Sequence, residues 1–175
     1  AALGDNSWVG MKVSVVIPAL NEERTVAHVV RACLADEPHE VLVIDADSYD
    51  ETAAEAQASG ARVLNWREIL PEEPRPGKGE SLWRGVAAAQ GDIVVFIDAD
   101  VESAAAGMVS ALTEPFIDPH IQMVKARYQR SFEGKPTGGG RVTELTAKPL
   151  LRQFFPELAH IDQPLGGEYA LRRAA

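Results

Sequence analysis

The chain predicts an α/β fold with a mostly parallel, Rossmann-like sheet flanked by helices. Three observations carry this expectation. Short apolar, β-branched runs alternate with segments of helical periodicity. The runs lie one helix apart, the spacing of parallel strands joined by crossovers. Two of them, Val41–Ile44 and Ile93–Ile97, end in paired aspartates, where an α/β sheet carries its ligand crevice.

Val13–Ile17 is the first strand, stopped by Pro18. Asn21 reads as a helix N-cap, with Glu22 and Glu23 in a first turn that favours acids. Val26, Val29, Val30, Cys33 and Leu34 then form one apolar helical face. Val41–Ile44 is the second strand. A helix over Asp50–Ser59, closed by Gly60, leads to a third strand at Ala61–Leu64. Residues 65–79 carry three prolines, Pro71, Pro74 and Pro76, and read as a long loop. Glu80–Gln90 is helical and feeds the strand at Ile93. Further on, the pattern predicts a helix over Ala104–Leu112 and a strand over Met123–Tyr128. Gly138–Gly140 and Gly166–Gly167 are turns, with a helix over Arg141–Lys148 between them. There is no internal repeat. The commonest order for such a sheet sets the first and fourth strands side by side.

At 175 residues, 46% hydrophobic and 25% charged, the chain can bury a core and is not disordered over most of its length. A net charge of −9 argues against nucleic acid as a partner. No apolar stretch is long enough to span a membrane. A single cysteine, Cys33, fits a reducing cytoplasm. Residues 1–10 read as an N-terminal extension before the domain at 11–175.

Asp98-Ala99-Asp100 is the most informative motif. On extended backbone, residues i and i+2 point to the same side, so two carboxylates share one space. A divalent cation bridging to a diphosphate relieves their repulsion. Asp45 and Asp47 repeat the spacing. Asp47, Ser48 and Asp50 also suit a turn and cap, and Asp45 is a candidate for contacting a base or ribose. Pro76-Gly77-Lys78-Gly79 is either a solvent loop or a lid whose lysine meets a diphosphate or base. Glycines at Gly138–Gly140, followed by Arg141 and Thr143 at a helix start, make an anion nest suited to phosphate or carboxylate; the alternative is a linker with a cap. The first βα turn lacks Gly-x-Gly-x-x-Gly, which disfavours an ordinary dinucleotide fold. The four histidines share no metal spacing. Glu168, in a turn by default, is a further site candidate.

Val15–Glu22, Ile44–Ser48 and Phe96–Asp100 together resemble the sugar-nucleotide glycosyltransferases of the GT-A fold. Pro76–Glu80, Gly138–Leu145 and Gln163–Tyr169 narrow the likeness to the glucosyl- and mannosyl-3-phosphoglycerate synthases. The resemblance implies a retaining transfer of glucose or mannose, from UDP-glucose or GDP-mannose, to the 2-hydroxyl of 3-phosphoglycerate. By matching position, Pro18, Ala19, Leu20, Glu22, Asp45, Ala46, Lys78, Asp98 and Ala99 bind the sugar nucleotide. Asp100 ligates Mg²⁺ or Mn²⁺, and Asp100 and Lys78 act in catalysis. Gly139, Gly140, Arg141, Val142 and Thr143 hold the acceptor. Where the family commonly has a serine that meets uracil, this chain has Ala46, followed by Asp47 in place of glycine, which makes a GDP-sugar credible. The resemblance also implies a cytoplasmic enzyme, possible as a homodimer, that continues beyond residue 175. Competing readings are an inverting transferase acting on a lipid phosphate, a nucleotidyltransferase, and a non-catalytic sugar-nucleotide binder.

Overall fold

The computed structural model describes residues 10–127, 130–132, 135–137, 152–153, 156 and 167–173. The chain divides into two compact units, Ala1–Val124 with Glu168–Ala175, and Lys125–Gly167.

The first unit is built on a six-stranded sheet. Its parallel part comprises β1 (Val13–Ala19), β2 (Glu40–Asp45), β3 (Arg62–Asn65) and β4 (Ile93–Phe96). With β5 (Met123–Lys125) and β8 (Tyr169–Arg172), the order is β3-β2-β1-β4-β8-β5. β1 and β4 are neighbours as expected, so the winding direction reverses between them. β8 was not foreseen: it returns antiparallel along β4, pairing Tyr169 with Phe96. In the second unit, β6 (Arg130–Phe132) and β7 (Lys135–Thr137) form an antiparallel hairpin.

Parallel strands covered on both faces are apolar throughout. Val15, Val16, Ile17, Leu42, Val43, Ile44, Val95 and Ile97 accordingly have no exposed surface. The helices are α1 (Val26–Leu34), α2 (Thr52–Ala58), α3 (Lys78–Ala88) and α4 (Met108–Thr113). α1 buries Val26, Val29, Val30 and Cys33, the predicted face. α3 lies close on the sheet because Gly85 has no side chain: a Cβ there would stand 2.3 Å from Val16 Cγ1. α4 takes its start from another element, since Asp36 accepts hydrogen bonds from the Gly107 and Ser110 amides at 2.6 and 2.9 Å.

Four local expectations need correction. Pro18 does not stop β1, which runs to Ala19. β4 pairs with β1 only as far as Val16, so Pro18 meets no partner there that needs its missing N–H. Asn21 is not an N-cap. It adopts left-handed backbone, φ +57°, and α1 starts at Val26 with no side-chain cap. α3 begins two residues earlier than expected, at Lys78, because Gly77 turns the chain at φ +129°. α4 starts at Met108, and a 3₁₀ turn over Glu114–Ile117 follows it. Among the described residues, no helix is long and apolar enough to cross a membrane.

Candidate functional site: a cleft along the strand ends

A cleft of about 290 Å³ opens at the carboxyl ends of the parallel strands. Its lining follows the sheet order. Trp66 comes just after β3, Ala46 just after β2, and Pro18, Ala19, Leu20 and Glu22 from β1 and its turn. Asp98, Ala99 and Asp100 follow β4, while Gly77, Lys78 and Ser81 close the wall from α3. One end is thus aromatic and the other acidic. Neighbouring strands lie about 4.8 Å apart, so the floor from β3 to β4 spans about 14 Å, room for a nucleoside diphosphate laid across the strands.

The turn after β1 is held by the turn after β2. The Asn21, Glu22 and Glu23 amides donate to Ser48 Oγ, Thr52 Oγ1 and Asp50 Oδ2 at 2.9, 2.7 and 3.2 Å. In return, the Tyr49 and Glu51 amides donate to Asn21 Oδ1 and Glu23 Oε2 at 3.0 and 3.1 Å. Asn21 and Asp47 both take left-handed backbone, which their short polar side chains tolerate. This clasp fixes the Glu22 backbone at the cleft. It also explains Asp47, Ser48 and Asp50, which hold the turns rather than line the cleft. Asp47 is further engaged by Asn65 Nδ2 and Arg67 Nε at 3.0 and 2.7 Å. Hydrogen bonds from the Asn65 side chain, first, and from Arg67 keep the Asp47 carboxyl below the usual range. Asp45 is 6% exposed and lies behind the lining. Its Oδ2 accepts the Ser48 amide at 3.3 Å, while Oδ1 is buried without a hydrogen-bond partner.

The acidic end is electrostatically costly as it stands. Burial, then the charge of Asp100, pushes the Glu22 carboxyl above its ordinary value, and Asp50 and Asp98 add to the push. Lys78 Nζ forms an ion pair with Asp98 Oδ1. Tyr169 packs its ring 4.7 Å from that of Phe96, and its hydroxyl is raised mainly by burial. Glu168, just before it, is buried.

This donor set suits a hard divalent cation. Carboxylate oxygens crowd one end, and an ammonium group already occupies one of them. Among the described residues, no three His, Cys, Asp or Glu side chains close into a full ligand set. Mg²⁺-type sites need only one or two carboxylates, with substrate phosphates completing the shell. Asp100 is the residue with a carboxylate exposed at that end and no ion-pair partner among the described residues.

The sequence profile of Glycosyl transferase family 2 matches residues 14–167. The chain belongs to this family. It is 48% identical over 179 residues to glucosyl-3-phosphoglycerate synthase of Mycobacterium tuberculosis, covering 94% of this chain. It is 44% identical over 175 residues to the synthase of the same name from Petrotoga mobilis, covering 93% of this chain. The chain spans 54% of the length of each of these relatives. A solved structure of the M. tuberculosis synthase in complex with Mn²⁺, UDP-glucose and phosphoglyceric acid superimposes with a TM-score of 0.85 at 44% identity. That match covers 99% of this chain and 61% of the other. The fold is therefore GT-A-like, as the resemblance implied.

Of the sequence-predicted residues, Pro18, Ala19, Leu20, Glu22, Ala46, Lys78, Asp98, Ala99 and Asp100 line one cleft. The acceptor candidates Gly139, Gly140, Arg141, Val142 and Thr143 lie outside the described residues. Trp66 and Ser81 line the cleft and were missed, while Gly77 enters it from the lid-candidate loop. Trp66 had a signal: it directly follows a strand at the crevice side of the sheet.

Proposed function

We propose that the protein transfers glucose from UDP-glucose to the 2-hydroxyl of 3-phosphoglycerate, with retention at the anomeric carbon and with Mn²⁺ or Mg²⁺. The observation that supports this most is the ordered lining of the cleft. An aromatic wall suits a base, and a carboxylate cluster with one lysine suits a metal-bound diphosphate. The names of the two synthases and the ligands of the superimposed complex agree with that chemistry.

In this reading Asp100 holds the cation. The cation, when bound, offsets the charge of the departing diphosphate. Lys78 brings a second positive charge to the same end, and its pairing with Asp98 sets where that charge rests before the donor arrives. Asp98 faces the ribose or sugar. Glu22, its backbone fixed by the clasp, lines the nucleotide site beside these residues. Arg141 and Thr143, with the glycines before them, are proposed to take the acceptor's phosphate and carboxylate.

Ala46 lines the cleft with a methyl group and gives a base no side-chain hydrogen bond. This keeps GDP-mannose as a second donor to test. The deciding experiment incubates the full-length protein with each donor, with and without 3-phosphoglycerate, and reads product mass and anomeric configuration. An α-glucosyl phosphoglycerate from UDP-glucose supports the proposal. Product from GDP-mannose alone overturns the donor, a β-linked product overturns retention, and no transfer to phosphoglycerate overturns the acceptor.

A further inference from the structure

We infer that Arg84 is a positioning residue for the nucleoside end of the donor, acting through the loop that carries Trp66. This rests on the reading of the cleft as a sugar-nucleotide site.

Arg84 lies on α3 and is only 1% exposed, yet it does not line the cleft. A buried guanidinium is costly unless its donors are satisfied. Here they are spent on one loop. Nη1 donates to the carbonyls of Trp66 and Leu70 at 2.8 and 3.1 Å, and Nη2 donates to that of Glu72 at 2.5 Å. Nε donates to Glu80 Oε1 at 2.8 Å, one helical turn back, which aims the fork.

Loop carbonyls ordinarily bond to water and leave a loop free to move. Three carbonyls drawn onto one planar fork fix the course of residues 66–72 against α3. Trp66 and Ile69 pack from this segment onto the core cluster of Val16, Leu42, Ile44 and Phe96. Trp66 is the aromatic wall of the cleft. A guanidinium is needed because its donors are coplanar and diverge. A lysine ammonium is a compact point charge and cannot span three carbonyls at those positions. Among the described residues, the Arg84 guanidinium makes its hydrogen bonds to the 66–72 loop and Glu80, and none to the acidic end, where Asp98 and Lys78 pair with each other. Arg84 therefore controls the hold on the base and ribose, and not the hold on the phosphates.

The test is calorimetric titration of the full-length protein with UDP and, separately, with inorganic pyrophosphate, both with Mn²⁺. Arg84→Lys is expected to raise the UDP Kd about tenfold, the scale of one lost charge-assisted hydrogen bond. It should leave the pyrophosphate Kd, the phosphoglycerate KM and kcat at saturating donor within about twofold. If Arg84→Lys does not fold, Glu80→Ala keeps the arginine but removes the group that aims it. It should raise the UDP Kd about threefold with the same indifference to pyrophosphate. A UDP Kd unchanged in the folded variant overturns the inference. So does equal weakening of UDP and pyrophosphate, since that reports general loosening. Failure of the wild type to bind UDP or GDP overturns the sugar-nucleotide reading itself, and this inference with it.

Discussion

The two ends of the parallel sheet treat polar groups differently. At the amino-terminal ends of the strands they close on one another. Ser14 Oγ donates to Glu40 Oε1 at 2.6 Å and accepts the Gly91 amide at 2.8 Å. The same Glu40 oxygen accepts the Gln90 amide at 2.7 Å, and Asp92 accepts the Lys12 amide at 2.8 Å. At the carboxyl-terminal ends the clasp between the turns closes in the same way, but groups beside the cleft are left with something to gain. Glu22 is raised by burial and by its acidic neighbours, and Asp45 Oδ1 and Trp66 Nε1 are buried without full hydrogen bonds. Satisfied polarity serves stability, and the polarity left open beside the cleft is what the proposed donor would engage. The difference is visible because both ends belong to the same strands.

Four substitutions or titrations would break or sharpen that contrast. Asp100→Ala should lower transfer about a thousandfold or more, measured as kcat/KM in the full-length protein, with little change in melting temperature. Near-normal turnover with metal present would remove Asp100 from the metal site.

Glu40→Ala acts at the closed end and should do the reverse. It leaves the Ser14 hydroxyl and the Gln90 amide short of an acceptor, at a cost of about 2 kcal/mol in denaturant unfolding. Donor affinity should not change. Weaker UDP binding would show that the two ends are coupled.

Cys33 sharpens the contrast from the core. Burial, then the nearby charge of Asp36, pushes its thiol from an ordinary 9.0 up to about 12. Between those values the unfolded chain loses the thiol proton while the folded chain keeps it. Stability therefore falls as pH rises above about 9. Cys33→Ala should remove that slope, and alkylation of the native thiol at pH 8 should be slow. Rapid native labelling would contradict the burial.

The smallest effect is at Glu22. Its folded carboxyl holds a proton to higher pH than the unfolded one does, so stability falls as pH rises through that window, and the deficit persists at neutral pH. Glu22→Gln should raise the melting temperature at pH 7 by about 2 °C and have no effect once pH lies below the ordinary carboxylate range. A lower melting temperature at pH 7 would contradict the crowding of acids at the open end.

The strands and the acidic motif were legible because apolar runs and paired aspartates are local signals. Cys33 and its neighbours on α1 were legible for the same reason. Asn21 misled because its role is set by Tyr49 and Ser48, 28 and 27 residues away. Left-handed backbone at a non-glycine leaves no local pattern. Arg84 was invisible in the same way: its meaning lies in three carbonyls 12 to 18 residues upstream. β8 was missed because a strand that returns to pair with β4 has no partner nearby in the sequence.

The central claim is that the open end of the sheet holds a diphosphate through a cation on Asp100. The most direct test titrates UDP into the full-length wild type and into Asp100→Asn, each with and without Mn²⁺. The account predicts that Mn²⁺ tightens UDP binding to the wild type by about tenfold or more and leaves the variant unchanged. Equal tightening in both proteins would contradict it.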